Sequence, residues 1–385
     1  MSNSGRPRRY ACAPCRWNYV FRCGVLTTLL LAFTAAAHAA EWGLKAGTAS
    51  LKSAGPLVFG PDGILFAGDP GAATIYALAT GDVAEKTPQA DLNIAGVNAQ
   101  LAELLKTPVA EIAIQDLAVN PDTGHAYLSV SSGRGASATA AIVRVANGDR
   151  LSLLSLSNIP YSKIVLPDAP EDKVVNRNGR SQNLRQDAIT DLAYMEGKVY
   201  VSGLASSSAP SSVHVIPFPF ADAAVGTSVE IYHAAHGRSE DAAPIRTFVP
   251  LMINGQPNLL AGFVCTPLVR LPVNALKAGE KTRGTTVAEL GNRNRPLDMI
   301  VYEQAGRKYL LLSNSARGVM KVSLENVARE EGLTTPVPNG GTAGQSFEPV
   351  PELAGVVELD RLNDQFAIVI QAKGDQLDLQ TVRLP

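Results

Sequence analysis

The chain has 385 residues, 34 basic and 35 acidic side chains, 46% hydrophobic residues and only four cysteines. A net charge of −1 lacks the basic footprint that binding to nucleic acid or an anionic membrane needs. Outside the N-terminal region no apolar run approaches the ~18 residues of a membrane span.

Residues 1–39 read as a secretory signal peptide. Arg6, Arg8, Arg9, Arg16 and Arg22 stand there without an acid, followed by the apolar run GVLTTLLLAFTAAA (24–37) and the small-residue site Ala37-His38-Ala39. The Arg8-Arg9 pair lies far from the apolar run and lacks the flanks of a twin-arginine signal. The leader carries five of the 34 basic residues and none of the 35 acidic ones, so a mature chain from residue 40 has a net charge of −6. Cys12, Cys15 and Cys23 leave with it, which rules out the Cys12-x-x-Cys15 pair as a redox or haem motif. Cys265 alone remains, and no intramolecular disulfide is open to the mature chain. Residues 40–385 are therefore expected to form one soluble, periplasmic or secreted domain, a monomer held by its core.

From residue 55 onward one unit recurs, an apolar strand, a short turn and a second apolar strand. The copies are GPLVFGPDGILFAGD (55–69), QDLAVNPDTGHAYLSVS (115–131), TDLAYMEGKVYVSGL (190–204), RTFVPLMINGQPNLLAGFV (246–264), LDMIVYEQAGRKYLLLSNS (297–315) and VELDRLNDQFAIVIQAK (357–373). Their turns carry Asp-Gly, Glu-Gly, Asn-Gly and Ala-Gly, which suit hairpins. A third strand follows each, and LSLLSL (151–156), TSVEIYHA (227–234) and TTVAEL (285–290) supply fourth strands. Six units of up to four antiparallel strands predict an all-β, six-bladed β-propeller. The last copy stops after its third strand, and the stretch GLKAGTASLK (43–52) is expected to add the outer strand that closes the ring. Two insertions interrupt the spacing. Residues 92–114 are expected to be partly helical, between blades 1 and 2, with Leu101, Leu104 and Leu105 on one face. Residues 158–186 are polar and rich in Pro and Asn, a length that points to function or disorder.

In a propeller the innermost strands start at one mouth of the central channel. Aligning the six copies puts Pro56, Asp116, Asp191, Thr247, Asp298 and Glu358 at that start. Four carboxylates converging on an axis repel one another. Three arrangements accommodate them: caps on neighbouring backbone amides, pairing with arginine, or a divalent cation such as calcium, which takes carboxylate oxygens. Asp116, Asp191, Asp298 and Glu358 are thus the candidate metal ligands. The same face collects candidate ligand-binding groups: Asp69, Arg134, His233, His236, Arg293, Arg295, Asn314 and Arg317. His233-x-x-His236 has a spacing compatible with zinc. Cys265, flanked by Phe263 and Val264, reads as a small core residue. Asp62, Asn120, Asp122, Asp360, Asn363 and Asp364 read as turn and surface residues. No catalytic residue is nominated, because the mature chain carries no nucleophile elbow, phosphate loop or dinucleotide fingerprint.

Three segments, GPLVFGPDGILFAGD, TDLAYMEGKVYVSG and RPLDMIVYEQAGRKYLLLSNS, resemble the six-bladed propellers of the NHL, gluconolactonase/regucalcin and sorbosone-dehydrogenase groups. The gluconolactonase resemblance implies a divalent metal at the channel mouth on the first-strand carboxylates, here Asp116, Asp191, Asp298 and Glu358. The surrounding Ala-Gly-Pro, Gln-Asp-Leu and Thr-Asp-Leu contexts depart from that group's pattern. Arg295-Pro296-Leu297-Asp298 resembles the sorbosone-dehydrogenase stretch, which implies pyrroloquinoline quinone with calcium. The expectation is an exported propeller that binds a small molecule or protein partner at its channel mouth, around a divalent cation. The alternatives are a metal-dependent lactone or ester hydrolase and a quinone-dependent dehydrogenase.

Overall fold

The computed structural model describes residues 1–2, 41–83, 91–146, 148–177, 180–206, 210–265, 267–329 and 331–385. The expected leader, beyond its first two residues, lies outside them. The strands form a six-bladed β-propeller. Blade 1 consists of Leu57–Phe59, Ile64–Asp69, Thr74–Ala79 and, from much later in the chain, Ile159–Val165. Blade 2 consists of Ile112–Val119, Ala126–Ser132, Thr139–Ala146 and Arg150–Leu153. Blade 3 has Asp191–Met195, Lys198–Leu204, Ser211–Pro217 and Thr227–His233, extended by Arg238–Glu240. Blade 4 has Ile245–Ile253, Gln256–Phe263, Pro267–Pro272 and Thr285–Glu289. Blade 5 has Pro296–Gln304, Arg307–Asn314, Gly318–Ser323 and Phe347–Pro349. Blade 6 has Val356–Arg361, Phe366–Lys373 and Gln376–Arg383, completed by Asn93–Ile94.

Ring closure differs from the expectation. The stretch 43–52 contributes Lys45–Gly47, which pairs with Ile159–Val165 on the outer edge of blade 1. The strand that completes blade 6 is Asn93–Ile94, in register with Gln380 and Leu379. Apolar burial explains the choice. Leu92, Ile94, Val97 and Leu101 are all buried against Ile368, Ile370 and Leu379 of blade 6. Lys45 and Ala46 are exposed and offer no such anchor. Helix α1 (Val97–Leu105) follows, the helical insertion that the sequence predicts. It is pinned to blade 6 by Asn98, whose Nδ2 donates to the Asp375 carbonyl and whose Oδ1 accepts from the Leu377 amide.

This closure permutes the blades. Each interface between neighbouring blades is an apolar cluster, and the clusters give the order around the axis. Blade 1 packs on blade 2 through Leu65, Leu78, Tyr127 and Ile142, and on blade 3 through Phe66, Ile75, Leu192 and Val201. Blades 3 and 4 share Tyr200, Val213, Phe248 and Leu259; blades 4 and 5 share Leu260, Leu268, Met299 and Leu310. Blades 5 and 6 meet at Ile300, Leu311, Leu359 and Val369, and blades 6 and 2 at Leu117, Leu128, Ile368 and Ile370. The order is therefore 2-1-3-4-5-6 and back to 2. Central strands are covered on both faces, which is why they read as continuous apolar runs such as LLL (310–312) and AIVI (367–370) rather than as alternation.

Candidate functional site

The channel mouth is built by a repeated backbone device. The inner strands of blades 2, 4, 5 and 6 each slip register by one residue at the position before the ring, between Ile114 and Asp116, Ile245 and Thr247, Pro296 and Asp298, and Val356 and Glu358. A β-bulge re-aims the side chain that follows it. Here the extra residues are Gln115, Arg246, Leu297 and Val357, and the re-aimed ones are Asp116, Thr247, Asp298 and Glu358.

The aspartates serve as staples between blades. One oxygen of Asp116, Asp191 and Asp298 accepts the amide of the next residue on its own strand, Leu117, Leu192 and Met299. The other accepts an amide from the inner strand of the adjacent blade, Leu57, Phe248 and Leu359. Backbone capping is therefore part of what these residues do. Glu358 departs from the pattern: among the described residues its carboxylate takes no such bond. Its stapling role passes two residues along to Asp360, which accepts from Val119 of blade 2 and from Arg361. Asp360 was expected at a surface turn, but it lines the channel below the ring.

The permuted order places the carboxylates unevenly. Asp298, Glu358 and Asp116 occupy consecutive blades, and their oxygens gather within 4.8 Å of one another. Asp191 stands apart, between Pro56 of blade 1 and Thr247 of blade 4. Asp116, Asp191 and Asp298 each line two cavities, and Glu358 lines the upper one. Above lies a polar mouth of about 330 Å³ walled by Gln186, Asp187, Arg246 and Arg295; below lies a space of about 250 Å³ lined by Tyr194, Phe248 and Asp360.

Burial, then mutual repulsion, holds Asp116 and Glu358 well above the usual carboxylate range, and burial does the same to Asp298, with Asp191 adding repulsion. Burial pushes Asp191 to about 7 and Asp360 to about 6, in each case against two stabilising amide bonds. Arg295 acts on Glu358 at a distance and lowers its pKa slightly, but burial and the neighbouring Arg246 in turn disfavour the charge on Arg295. Arg246 itself pairs with Asp187 at 2.7 Å. Among the described residues no lysine, arginine or histidine forms an ion pair with the trio.

The other predicted site residues scatter over the same face. Asp69 is fully buried and accepts from the amides of Lys52, Ser53 and Ala72 and from the Ser53 hydroxyl, so its acceptors are spent on tying the N-terminal segment to a turn. Asn314 is buried and accepts from Asn294 Nδ2, while Asn294 Oδ1 accepts from the Ala316 amide. That pair fastens the connection into blade 5. Arg134, Arg293 and Arg317 are exposed on the rim; Arg134 donates to the Ala110 carbonyl and Arg317 to that of Asn292. Only Arg295 of the predicted arginines reaches the mouth cavity. Arg246 and Asp187 also line it, and the sequence did not single them out. The clue available was their position, one residue before an aligned first strand and just before blade 3.

His233 and His236 lie at the outer edge of the same face. Glu240 accepts from Nδ1 of both rings, at 2.9 Å each, and from Arg238. Despite partial burial, those bonds from Arg238, His233 and His236 hold Glu240 down at about 2. Burial lowers the pKa of His233, and burial pushes that of Glu289 up to about 7.

No family model and no curated protein matches the chain. Solved structures give distant likenesses. The PQQ-bound aldose sugar dehydrogenase of Streptomyces coelicolor is 11% identical, over 88% of this chain and 97% of that one, with a TM-score of 0.28. The GH43 endo-arabinanase of Bacillus licheniformis is 13% identical over 71% and 94%, with a TM-score of 0.34. A putative 6-phosphogluconolactonase of Bacteroides uniformis is 12% identical over 85% and 79%, with a TM-score of 0.31. At these values the likenesses carry no argument about chemistry.

Proposed function

We propose that this chain is an exported propeller that binds a divalent cation of the calcium class at Asp116, Asp298 and Glu358 and uses it, with Arg295, to hold a small acidic ligand in the mouth cavity. The observation that carries the reading is the carboxylate trio itself. Three acidic groups share one small volume without a paired base among the described residues, and one of them, Glu358, has no backbone bond there to justify its place. An oxygen-liganded cation removes both the repulsion and the desolvation cost. Asp191 contributes charge from across the channel. The cavity above is polar, and Arg295 and Arg246 on its wall suit a carboxylate or phosphate group.

A cation held on one open side of a carboxylate trio is also the arrangement that polarises a carbonyl and activates water. Lactone or ester hydrolysis is therefore the second reading, with Glu358 as the carboxylate placed to accept a proton. Among the described residues no histidine lines the mouth cavity, so quinone-dependent dehydrogenation finds no support there.

The test is calorimetric titration of the chelator-treated protein with calcium, followed by titration with a sugar acid in the presence and absence of calcium. One equivalent of calcium is expected. Glu358→Gln and Asp298→Asn should each weaken it at least tenfold, and Arg295→Ala should weaken only the sugar acid. Calcium affinity unchanged in both carboxylate variants would sink the assignment.

A further inference from the structure

The cluster around His233 and His236 contains more than the two histidines. His233 ends the outer strand of blade 3, Glu289 ends the outer strand of blade 4, and Cys265 sits in the turn between the second and third strands of blade 4. All three ends face the same side of the propeller. The tertiary fold brings one ligand atom each of His233, His236 and Cys265 within 4.8 Å of one another. In sequence Cys265 is remote from both histidines, and no spacing rule links them.

Two features point to an absent positive partner. His233 is 1% exposed and Glu289 is 0% exposed, yet among the described residues His233 Nε2 and Glu289 Oε1 have no hydrogen-bond partner. They stand 3.9 Å apart, beyond hydrogen-bond range. Second, Glu240 bonds Nδ1 of both rings. An ionised carboxylate only accepts, so each Nδ1 carries a proton, and Nε2 of the neutral ring presents a lone pair. In the neutral ring His233 Nε2 therefore aims a lone pair at Glu289 Oε1 in a buried site, a contact that a shared proton or a metal ion relieves, and the convergence of His236 and Cys265 on the same point suits the metal ion. Metal–nitrogen and metal–oxygen bonds of ~2.0–2.2 Å span such a gap, and metal–sulfur bonds of ~2.3 Å suit a thiolate in the same cluster. A carboxylate behind the far nitrogen of each metal-bound imidazole is the usual way of fixing the ligating tautomer.

We propose that His233, His236, Cys265 and Glu289 form a binding site for a zinc-class transition-metal cation, oriented by Glu240 and separate from the channel. Two imidazoles and a thiolate select a borderline-soft ion such as zinc, cobalt or copper over calcium. The site opens toward a cleft of about 830 Å³ lined by His236, Glu240 and Arg246, which gives the ion an entry path. Its residues are distinct from the carboxylate trio, so it stands or falls independently of the calcium reading.

The experiment is a titration of the full chain with cobalt(II), in a background where Cys12, Cys15 and Cys23 are replaced by serine so that Cys265 is the only thiol. One equivalent is expected to develop ligand-field bands and a near-ultraviolet thiolate-to-cobalt band, and zinc should displace both. Cys265→Ser should remove the thiolate band. His236→Ala, at an exposed position where folding is safe, should weaken binding at least tenfold, and Glu240→Gln by about 10–100-fold. Asp298→Asn should leave cobalt binding unchanged. No band in the parent protein, a thiolate band that survives Cys265→Ser, or cobalt binding lost in Asp298→Asn would each overturn the proposal.

Discussion

At the residue scale, the ring position shows how one side chain serves two ends. Asp116, Asp191 and Asp298 each spend one oxygen on their own strand and one on the neighbouring blade. Glu358, one methylene longer, takes no such bonds among the described residues, which is why the proposed cation site centres on it. This has a pH consequence. Raised pKa values near 7 for Asp191 and near 6 for Asp360 mean that the folded chain holds more protons than the unfolded one between pH ~4 and ~7. Stability is then fully present below the unfolded carboxylate pKa and falls as pH rises through the folded values. Thermal melts across pH 4.5 to about 8 should show a declining midpoint, and saturating calcium should flatten the decline. A midpoint that rises over that range without calcium would contradict the assignment.

At the element scale, short segments do structural work that length alone would not suggest. The two-residue strand Asn93–Ile94 and helix α1 are held by burial of Leu92, Val97 and Leu101 into the blade 2–blade 6 interface. Leu101→Ala should cost about 2–5 kcal/mol in urea unfolding, a loss expected of a core position and not of a surface helix. Asp69 ties the segment around Lys52 and Ser53 to the turn ending at Ala72. Asp69→Ala removes the acceptor of three part-buried amides and should cost about 1–3 kcal/mol, with calcium affinity unchanged. The insertion 158–186 contributes Ile159–Val165 to blade 1 and brings Gln186 and Asp187 to the mouth cavity, so its irregular composition reflects a connector that carries site residues.

At the scale of the whole molecule, the permuted order is the feature with the widest effect. Blade 1 takes its outer strand from residues after blade 2, and blade 6 takes its own from residues before blade 2. Both ends of the domain are thereby locked by strands that flank blade 2 in the sequence. A direct check is a double substitution, Asn93→Cys with Gln380→Cys, at positions in register across the closure. Facing residues of adjacent strands suit disulfide geometry, so mild oxidation should link the two peptides in mass spectra. Linkage absent here, but obtained between residues 43–52 and blade 6, would restore simple sequential closure. The same order explains the trio, because it seats Asp116 of blade 2 beside Glu358 of blade 6.

The amino-acid sequence by itself determined the fold class, the blade count, the hairpin positions, a helical segment within 92–114 and the first-strand residues that meet at the channel. Those follow from local periodicity, turn chemistry and the alternation of short apolar runs, which need no partner to be read. Tertiary structure alone decided the circular order of the blades, and with it which carboxylates become neighbours. It also decided the burial of Asp69, the placement of Asp360 in the channel and the meeting of Cys265 and Glu289 with the two histidines. The physical reason is that apolar faces of equal quality choose their partners by how well they bury one another, and side chains far apart in sequence become a site only after that choice is made.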